Sequence, residues 1–462
     1  MDGLECKEIM RSELERTIRI DSEFYIKSAI HISEMLQIKP HNSLTTYVNV
    51  SDGNHMGISE HFSDEGVPYY RGQDAGTFFI ENSNPVCIDE KTYALPVMKR
   101  SHLKKGDVLL SIVGTIGSLS LVYSDRNATC SCKLAILRPN DNKNSELLAT
   151  FLSCKYGQAQ IARFTRGAVQ KGLILEDMDQ LIVPIFGDRV IEAINNTIQG
   201  AYQLQEKAEI CYHDAERNLL SSLNIQIKDQ TIPVIAEKSF TESFMRTGRL
   251  DAEYYQPKYE LIQNDLNTDE TVLSLCNIYD KPFIPDKASS YSYIELANVG
   301  QNGDVSGVDT IIGSDLPSRA RRRVSAGQVI VSSVEGSLQS CALIEDEYDG
   351  ALCSTGFYVL DSDVINSETL LVLFKSEPIQ ALLMQRCSGT ILTAISKDEF
   401  LSMPLPKIDS DVQKTVAEKV QESFALRRKS KELLEVAKQA VEMAIEQGED
   451  VALAWLGNRV NK

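Results

Sequence analysis

Two cationic clusters interrupt an otherwise acidic chain. Lys99, Arg100, His102, Lys104 and Lys105 precede one strand-like run, and Arg319, Arg321, Arg322 and Arg323 precede another. Cationic density of this kind suits phosphate oxygens, which take most contacts when a protein grips nucleic acid. A solvated loop ahead of a strand is the plain alternative. Just past each run, Thr115 and Ser118 on one side and Glu335 and Ser337 on the other sit where a strand breaks into a loop. Small polar groups there can meet base edges, and a carboxylate such as Glu335 can accept from a cytosine amino group. Glycines and hydroxyls in such a place also make ordinary tight turns.

A third set surrounds a glycine loop in each half. Arg163, Arg166, Gln170 and Lys171 flank Gly167, while Thr390, Thr393 and Lys397 follow Gly389. Gln pairs with adenine N6 and N7, and Arg or Lys pairs with guanine O6 and N7. The second set carries fewer charges and more hydroxyls, as a different group of bases would require. Each of these residues also fits a solvated surface.

Catalytic signatures are missing from the sequence. It has no Asn/Asp-Pro-Pro-Tyr/Phe loop of a base-flipping methyltransferase, no Gly-x-x-x-x-Gly-Lys-Ser/Thr phosphate loop and no His-Glu-x-x-His. The carboxylates form no pair at a telling spacing, so the chain reads as a non-enzyme without a cofactor. Ten cysteines include no Cys-x-x-Cys. Cys130 and Cys132 could be half of a metal site, but lacking a second pair they read as core packing. No apolar run suggests a leader or a membrane span, so reduced thiols in the cytoplasm, with no membrane partner, are expected.

The elements that position these residues come in duplicate. Arg19-Ile20-Asp21-Ser22-Glu23-Phe24-Tyr25 returns as Arg249-Leu250-Asp251-Ala252-Glu253-Tyr254-Tyr255. Lys105-Gly106-Asp107-Val108-Leu109-Leu110-Ser111 returns as Ala326-Gly327-Gln328-Val329-Ile330-Val331-Ser332, and Val183-Pro184 as Leu405-Pro406. The offset drifts only from 230 to 221 and then 222. Solenoid units run about 20–50 residues, so this period means two copies of a whole domain. At 462 residues, 43% hydrophobic and 24% charged, the chain suits two globular domains with connectors.

Each copy reads as α+β. Strand-like runs cover Val108 to Val113 and Lys133 to Leu137 in one, Val329 to Val334 and Phe357 to Leu360 in the other. Helical runs follow at Glu146 to Phe164 and Glu368 to Arg386. Behind each proline, apolar residues recur three and four apart, from Ile191 to Leu219 and from Val412 to Met443. A helix of about 34 residues would be about 50 Å long, and two of matching length most economically pair with each other. The expected order is a globule over 1–187, a helix over 188–224, a linker and second globule over 225–407, a helix over 408–448 and a tail over 449–462.

Together these residues give a resemblance. The Leu-x-x-Gly-Asp-Val-Leu-x-Ser-x-x-Gly-Thr-x-Gly run from Leu103 to Gly117, the Gly-Ala-Val-Gln-Lys-Gly-Leu loop at 167–173, the strand end at Val183-Pro184 and the long helix after each globule resemble the specificity subunit of a type I restriction–modification enzyme. The likeness covers essentially the whole chain. It implies an α+β fold of two tandem target-recognition domains, each followed by a long helix, the two helices pairing as an antiparallel coiled coil. It further implies that the domains read a split, asymmetric site on double-stranded DNA. The chain would carry two methyltransferase subunits and, in the full complex, restriction/translocase subunits. Two departures stand against the pattern. Val334-Glu335-Gly336-Ser337 replaces Val113-Gly114-Thr115-Ile116, and the family's tryptophan near each domain start is missing, Trp455 being the only one.

Charge leaves a second reading open. The formal net charge is −18, with 24 Lys/Arg against 30 Asp/Glu in residues 1–230 and 23 against 35 in residues 231–462. Acidic surface repels phosphate or mimics it, which would suit an interaction scaffold or decoy of the same fold.

Overall fold

The computed structural model describes residues 8–12, 14, 19–63, 65–141, 144–167, 169–223, 225, 235–300, 302–389 and 393–460. The chain divides into two compact units, residues 1–204 with 428–462, and residues 205–427. Both long helices thus contribute one half to each unit.

In the first unit the core sheet is antiparallel, in the order Val48–Asp52, Leu134–Pro139, Val108–Ser111, Leu119–Leu121. The second unit repeats it as Asn277–Ile278, Phe357–Asp361, Val329–Ser332, Cys341–Leu343. Val108 and Val329 face Leu137 and Leu360, so register is kept along with topology. The central strands are mostly apolar because both faces are covered, and side chains alternate between faces. Val108, Leu110 and Leu137 join the helices in one core, whereas Leu109, Leu134 and Ile136 join Tyr70 and Ile80 in another. Val329, Val331 and Leu360 against Ile330 and Val359 make the same division in the second unit.

A smaller sheet lies beyond that second core. Both copies hold a parallel pair, Tyr69 with Thr129 and Tyr293 with Leu352. They differ at both edges, and the first unit adds Phe62–Ser63 beyond Val86–Ile88. The second unit adds the strand Ala320–Arg323, with a bulge between Ala320 and Arg322. The first unit has only the single bridge His102–Thr129 there.

The expected helical runs are each broken in two. Ser145–Ser153 and Lys155–Phe164 meet at Cys154, and Ser367–Lys375 and Glu377–Arg386 meet at Ser376, both with extended backbone. Pro378 gives the physical reason in the second copy, since it lacks an N–H and its ring clashes with a preceding turn. Gly157 serves in the first, where a Cβ would lie 2.3 Å from the Phe151 carbonyl.

The long helices span Asp188–Ser222 and Ser410–Gln447, and a further helix, Glu449–Val460, follows Gly448. Small residues recur every seventh position, Ala201, Ala208 and Ala215 on one helix and Ser423, Ser430 and Ala437 on the other. All are buried. Within the first unit the Ser430 hydroxyl donates to the Ala201 carbonyl at 2.8 Å. Within the second, Ser423 donates to Ala208 at 2.7 Å. Seven residues forward on one helix match seven back on the other, so the pairing is antiparallel, with the heptad period of a coiled coil. The α+β class, the duplication and the helix pairing therefore stand as the sequence suggested. No helix among the described residues is long and apolar enough to cross a membrane.

Candidate nucleic-acid interface

Each unit begins with an arginine clamp. Arg19 grips Asp21 through two hydrogen bonds (2.9 and 2.6 Å) and lays its guanidinium over the Phe24 ring at 4.5 Å. Arg249 does the same to Asp251 and to the Tyr254 ring, at 4.4 Å. The arginine partner holds each aspartate below the ordinary carboxylate range. Arg163 covers the other side of the first clamp, stacking on Phe24 at 4.3 Å, donating to the Phe24 carbonyl at 3.0 Å and to the Ser33 hydroxyl at 2.6 Å. Its geometry is that of a framework residue.

Two loops meet at the end of the central strand. In the first unit Arg166 and Gly172 exchange backbone hydrogen bonds of 2.9 and 2.8 Å, closing a hairpin whose tip, Val169, is fully exposed. Gly167 makes this turn possible, with φ +125° and no room for a Cβ beside the Gln170 carbonyl. Leu173 N donates to Ile112 O at 3.0 Å and Val113 bridges Gly172, which sets the hairpin beside the Gly114–Ser118 loop. In the second unit Glu335 N donates to Thr393 O at 3.1 Å and Val334 bridges Ala394. The structure thus gathers Thr115, Ser118, Arg166, Gln170 and Lys171 in one unit, and Glu335, Ser337 and Thr393 in the other. Thr390 lies outside the described residues.

Several of these groups already have partners. The Thr115 hydroxyl donates to Gly72 O at 2.8 Å, and Ser337 bonds Val334 O and Ser332, so both hydroxyls hold their turns. Arg166 pairs with Asp177 at 2.7 Å, Lys171 with Glu23 at 3.0 Å and Lys397 with Asp280. Ser118 is half-buried. Gln170 and Glu335 are exposed and make no side-chain hydrogen bond among the described residues. Beside Glu335 a cavity of about 850 Å³ opens, lined among others by Arg249, Tyr254, Gln385, Thr393 and Glu399. The clamp at Arg249 forms one of its walls, which the repeat alone did not reveal. Its signal was the duplication of Arg-x-Asp-x-Glu, which reads as structural anchoring.

The cationic clusters are built differently in the two units. Lys99 and Arg100 lie on the turn Pro96–Ser101, with Arg100 ion-paired to Asp52. His102 stacks on Tyr93 at 3.9 Å, Lys104 is exposed, and the Lys105 ammonium sits 5.2 Å above the Tyr123 ring. Arg319 is exposed just ahead of the strand that carries the other three arginines. Arg321 donates to Ser318 O at 3.1 Å, Arg322 turns inward onto Phe357 O and the Tyr358 ring, and Arg323 stands over Phe283.

No family model matches the sequence, and no curated protein matches it. Among solved structures, the chain is similar to the type I restriction–modification S subunit from M. genitalium, at 14% identity over 90% of this chain and 95% of that one, with a TM-score of 0.34. It is similar to the HsdS subunit from Thermoanaerobacter tengcongensis at 14% identity over 88% and 96%, with a TM-score of 0.29. The type IIG restriction endonuclease BpuSI matches 42% of this chain and 30% of its own at 12% identity, with a TM-score of 0.32.

Proposed function

We propose that the chain is a non-catalytic DNA-specificity subunit of a type I restriction–modification assembly, working in the cytoplasm. Each unit would read one half of a bipartite, asymmetric site on double-stranded DNA. The chain would carry two methyltransferase subunits and, in the full complex, restriction/translocase subunits. One observation carries this reading. The same pair of loops stands at the end of the same strand in both units, yet the side chains it offers differ: Arg166, Gln170 and Lys171 against Glu335 and Thr393. A shared frame with exchanged polar groups suits two unlike half-sites. Phosphate contacts would come from Lys99, Arg100, His102, Lys104 and Lys105 on one side and Arg319, Arg321 and Arg323 on the other, with the inward-turned Arg322 holding the strand. Arg163 and Lys397 would steady these surfaces.

The helix pair would set the unread spacer. Inserting one heptad into both helices, between Ala201 and Ala208 and between Ser423 and Ser430, preserves the seam and adds about 10.5 Å. That is roughly three base pairs at about 3.4 Å each. Methylation mapping of the reconstituted complex should then report unchanged half-sites with a spacer about three base pairs longer. An unchanged spacer in an active complex would remove the ruler role.

The acidic-scaffold reading draws on specific ion pairs. Arg100, Arg166, Lys171 and Lys397 each face a carboxylate within their own unit, on a chain of net charge −18. Gel shifts of the partner complex across a salt series separate the two readings. Specific binding that weakens steeply with salt supports recognition, and no binding at low salt supports the scaffold.

A further inference from the structure

The helix Ser145–Ser153 and its counterpart Ser367–Lys375 start in opposite states. Asn366 caps its helix by accepting from Thr369 N at 2.9 Å, whereas the side chain of the corresponding Asn144 makes no cap hydrogen bond. The Ser367 hydroxyl donates to the Gly327 carbonyl at 2.5 Å. The corresponding Ser145 is 2% exposed, and its hydroxyl makes no hydrogen bond among the described residues. Buried donors without partners are rare in folded proteins. Between Ser145 and Gly106, the counterpart of Gly327, lies a cavity of about 390 Å³, a volume typical of small-molecule sites.

Charge separates the two places in the same sense. Lys104, Lys105 and Arg126 line the cavity, and Arg126 is anchored by its hydrogen bond to the Tyr70 hydroxyl. Ser325 and Ala326 stand in the second unit where Lys104 and Lys105 stand in the first, and the turn that carries Arg126 is replaced by Glu345, Asp346, Glu347, Tyr348 and Asp349. Two acids, Asp125 and Glu146, also line the cavity. Burial pushes the Glu146 carboxyl up, toward its uncharged form, while nearby Lys105 opposes that shift.

We propose that this cavity of the first unit is a phosphate-ester site formed by Lys104, Lys105, Arg126 and the Ser145 hydroxyl. The positive end of the helix dipole favours an anion there, and the cations supply the remaining charge. The second unit closes the same place with its own serine and asparagine. The phosphate comes either from the DNA backbone, an arm that rests on the function proposed above, or from a free phosphate monoester.

The full-length chain and its Lys105→Ala and Ser145→Ala variants distinguish these sources. Adenosine monophosphate and inorganic phosphate are titrated by calorimetry, and duplex DNA is titrated across a salt series. Saturable binding of either small probe, weakened about tenfold in both variants, supports a free-ester site. No binding of the small probes, with the log–log salt slope for DNA reduced by about one in Lys105→Ala and affinity lowered in Ser145→Ala, supports a backbone phosphate. Ser145→Ala deletes one hydroxyl, so unchanged melting temperature certifies that its fold is intact. The inference is overturned if the small probes do not bind and both variants keep wild-type DNA affinity and slope. If wild-type chain binds no DNA, the recognition reading fails on its own, and the small-probe arm decides this site alone.

Discussion

Arg163 in the first unit and Gln385 in the second hold corresponding places and act alike on the backbone. Each donates to the carbonyl of the aromatic residue in the clamp, Phe24 or Tyr254, at 3.0 and 2.9 Å. Arg163 also stacks on that ring and bonds Ser33, while Gln385 pairs with the neighbouring Gln263 and Arg386 instead. At this place the two units agree where the side chain serves the backbone and part where it meets other side chains. The same division runs through the paired loops. Backbone hydrogen bonds fix where Gly172 and Thr393 lie, and the exposed groups beside them are exchanged between copies. A frame of that kind lets specificity change without refolding.

The strongest way to break the comparison is to empty one core at a time. Phe151→Ala and Phe374→Ala remove fully buried rings from corresponding helices, each costing about 3–5 kcal/mol. Hydrogen exchange should rise in the unit that holds the substitution. A uniform rise across both units would deny that the cores are separate.

Overfilling the helix seam comes next. Ala201→Leu and Ala208→Leu add bulk at positions with no exposed surface, at about 1–3 kcal/mol. Ser430→Ala and Ser423→Ala should cost about 0.5–1.5 kcal/mol, because each removes one hydrogen bond and no volume. Urea titrations of the four variants should rank them in that order, and equal losses would mean that the seam is loosely packed. A smaller effect sharpens the framework argument. Arg163→Gln copies the second unit's solution and forfeits the ring contact, so about 0.5–2 kcal/mol should be lost, less than in Arg163→Ala.

Acid titration should give the smallest change. Asp21 and Asp251 are held below the usual carboxylate value by Arg19 and Arg249. Their contribution is complete above the unfolded value of about 3.9 and fades as pH falls through the lower folded value. Both clamps should therefore loosen only below about pH 4. Asp21→Asn should flatten that loss in hydrogen exchange around Arg19 to Tyr25, leaving residues 249–255 unchanged.

Periodicity and duplication made much of this molecule legible from its sequence. Ala201, Ala208 and Ala215 repeat visibly, and the Gly167 and Gly389 loops declare themselves by position. The break at Ser376 is written in Pro378, whereas the one at Cys154 was not legible, because apolar spacing runs straight across it. Nor were the partners of Arg166, Lys171 and Lys397. Glu23 and Asp280 lie more than a hundred residues from the lysines they meet, and Asp177 is only one of several acids near Arg166. The edge strand Ala320–Arg323 was hidden for a related reason. Its pairing with Leu352–Ser354 is a long-range choice, and the first unit settles for one bridge.

The two serine hydroxyls that hook the facing helix have a mechanical consequence. Re-pairing the helices one residue out of register would bring to the contact residues that lie about 100° round the helix from the small ones, most of them bulkier. The spacing of the two hooks therefore disfavours any register that is not offset by a whole number of heptads.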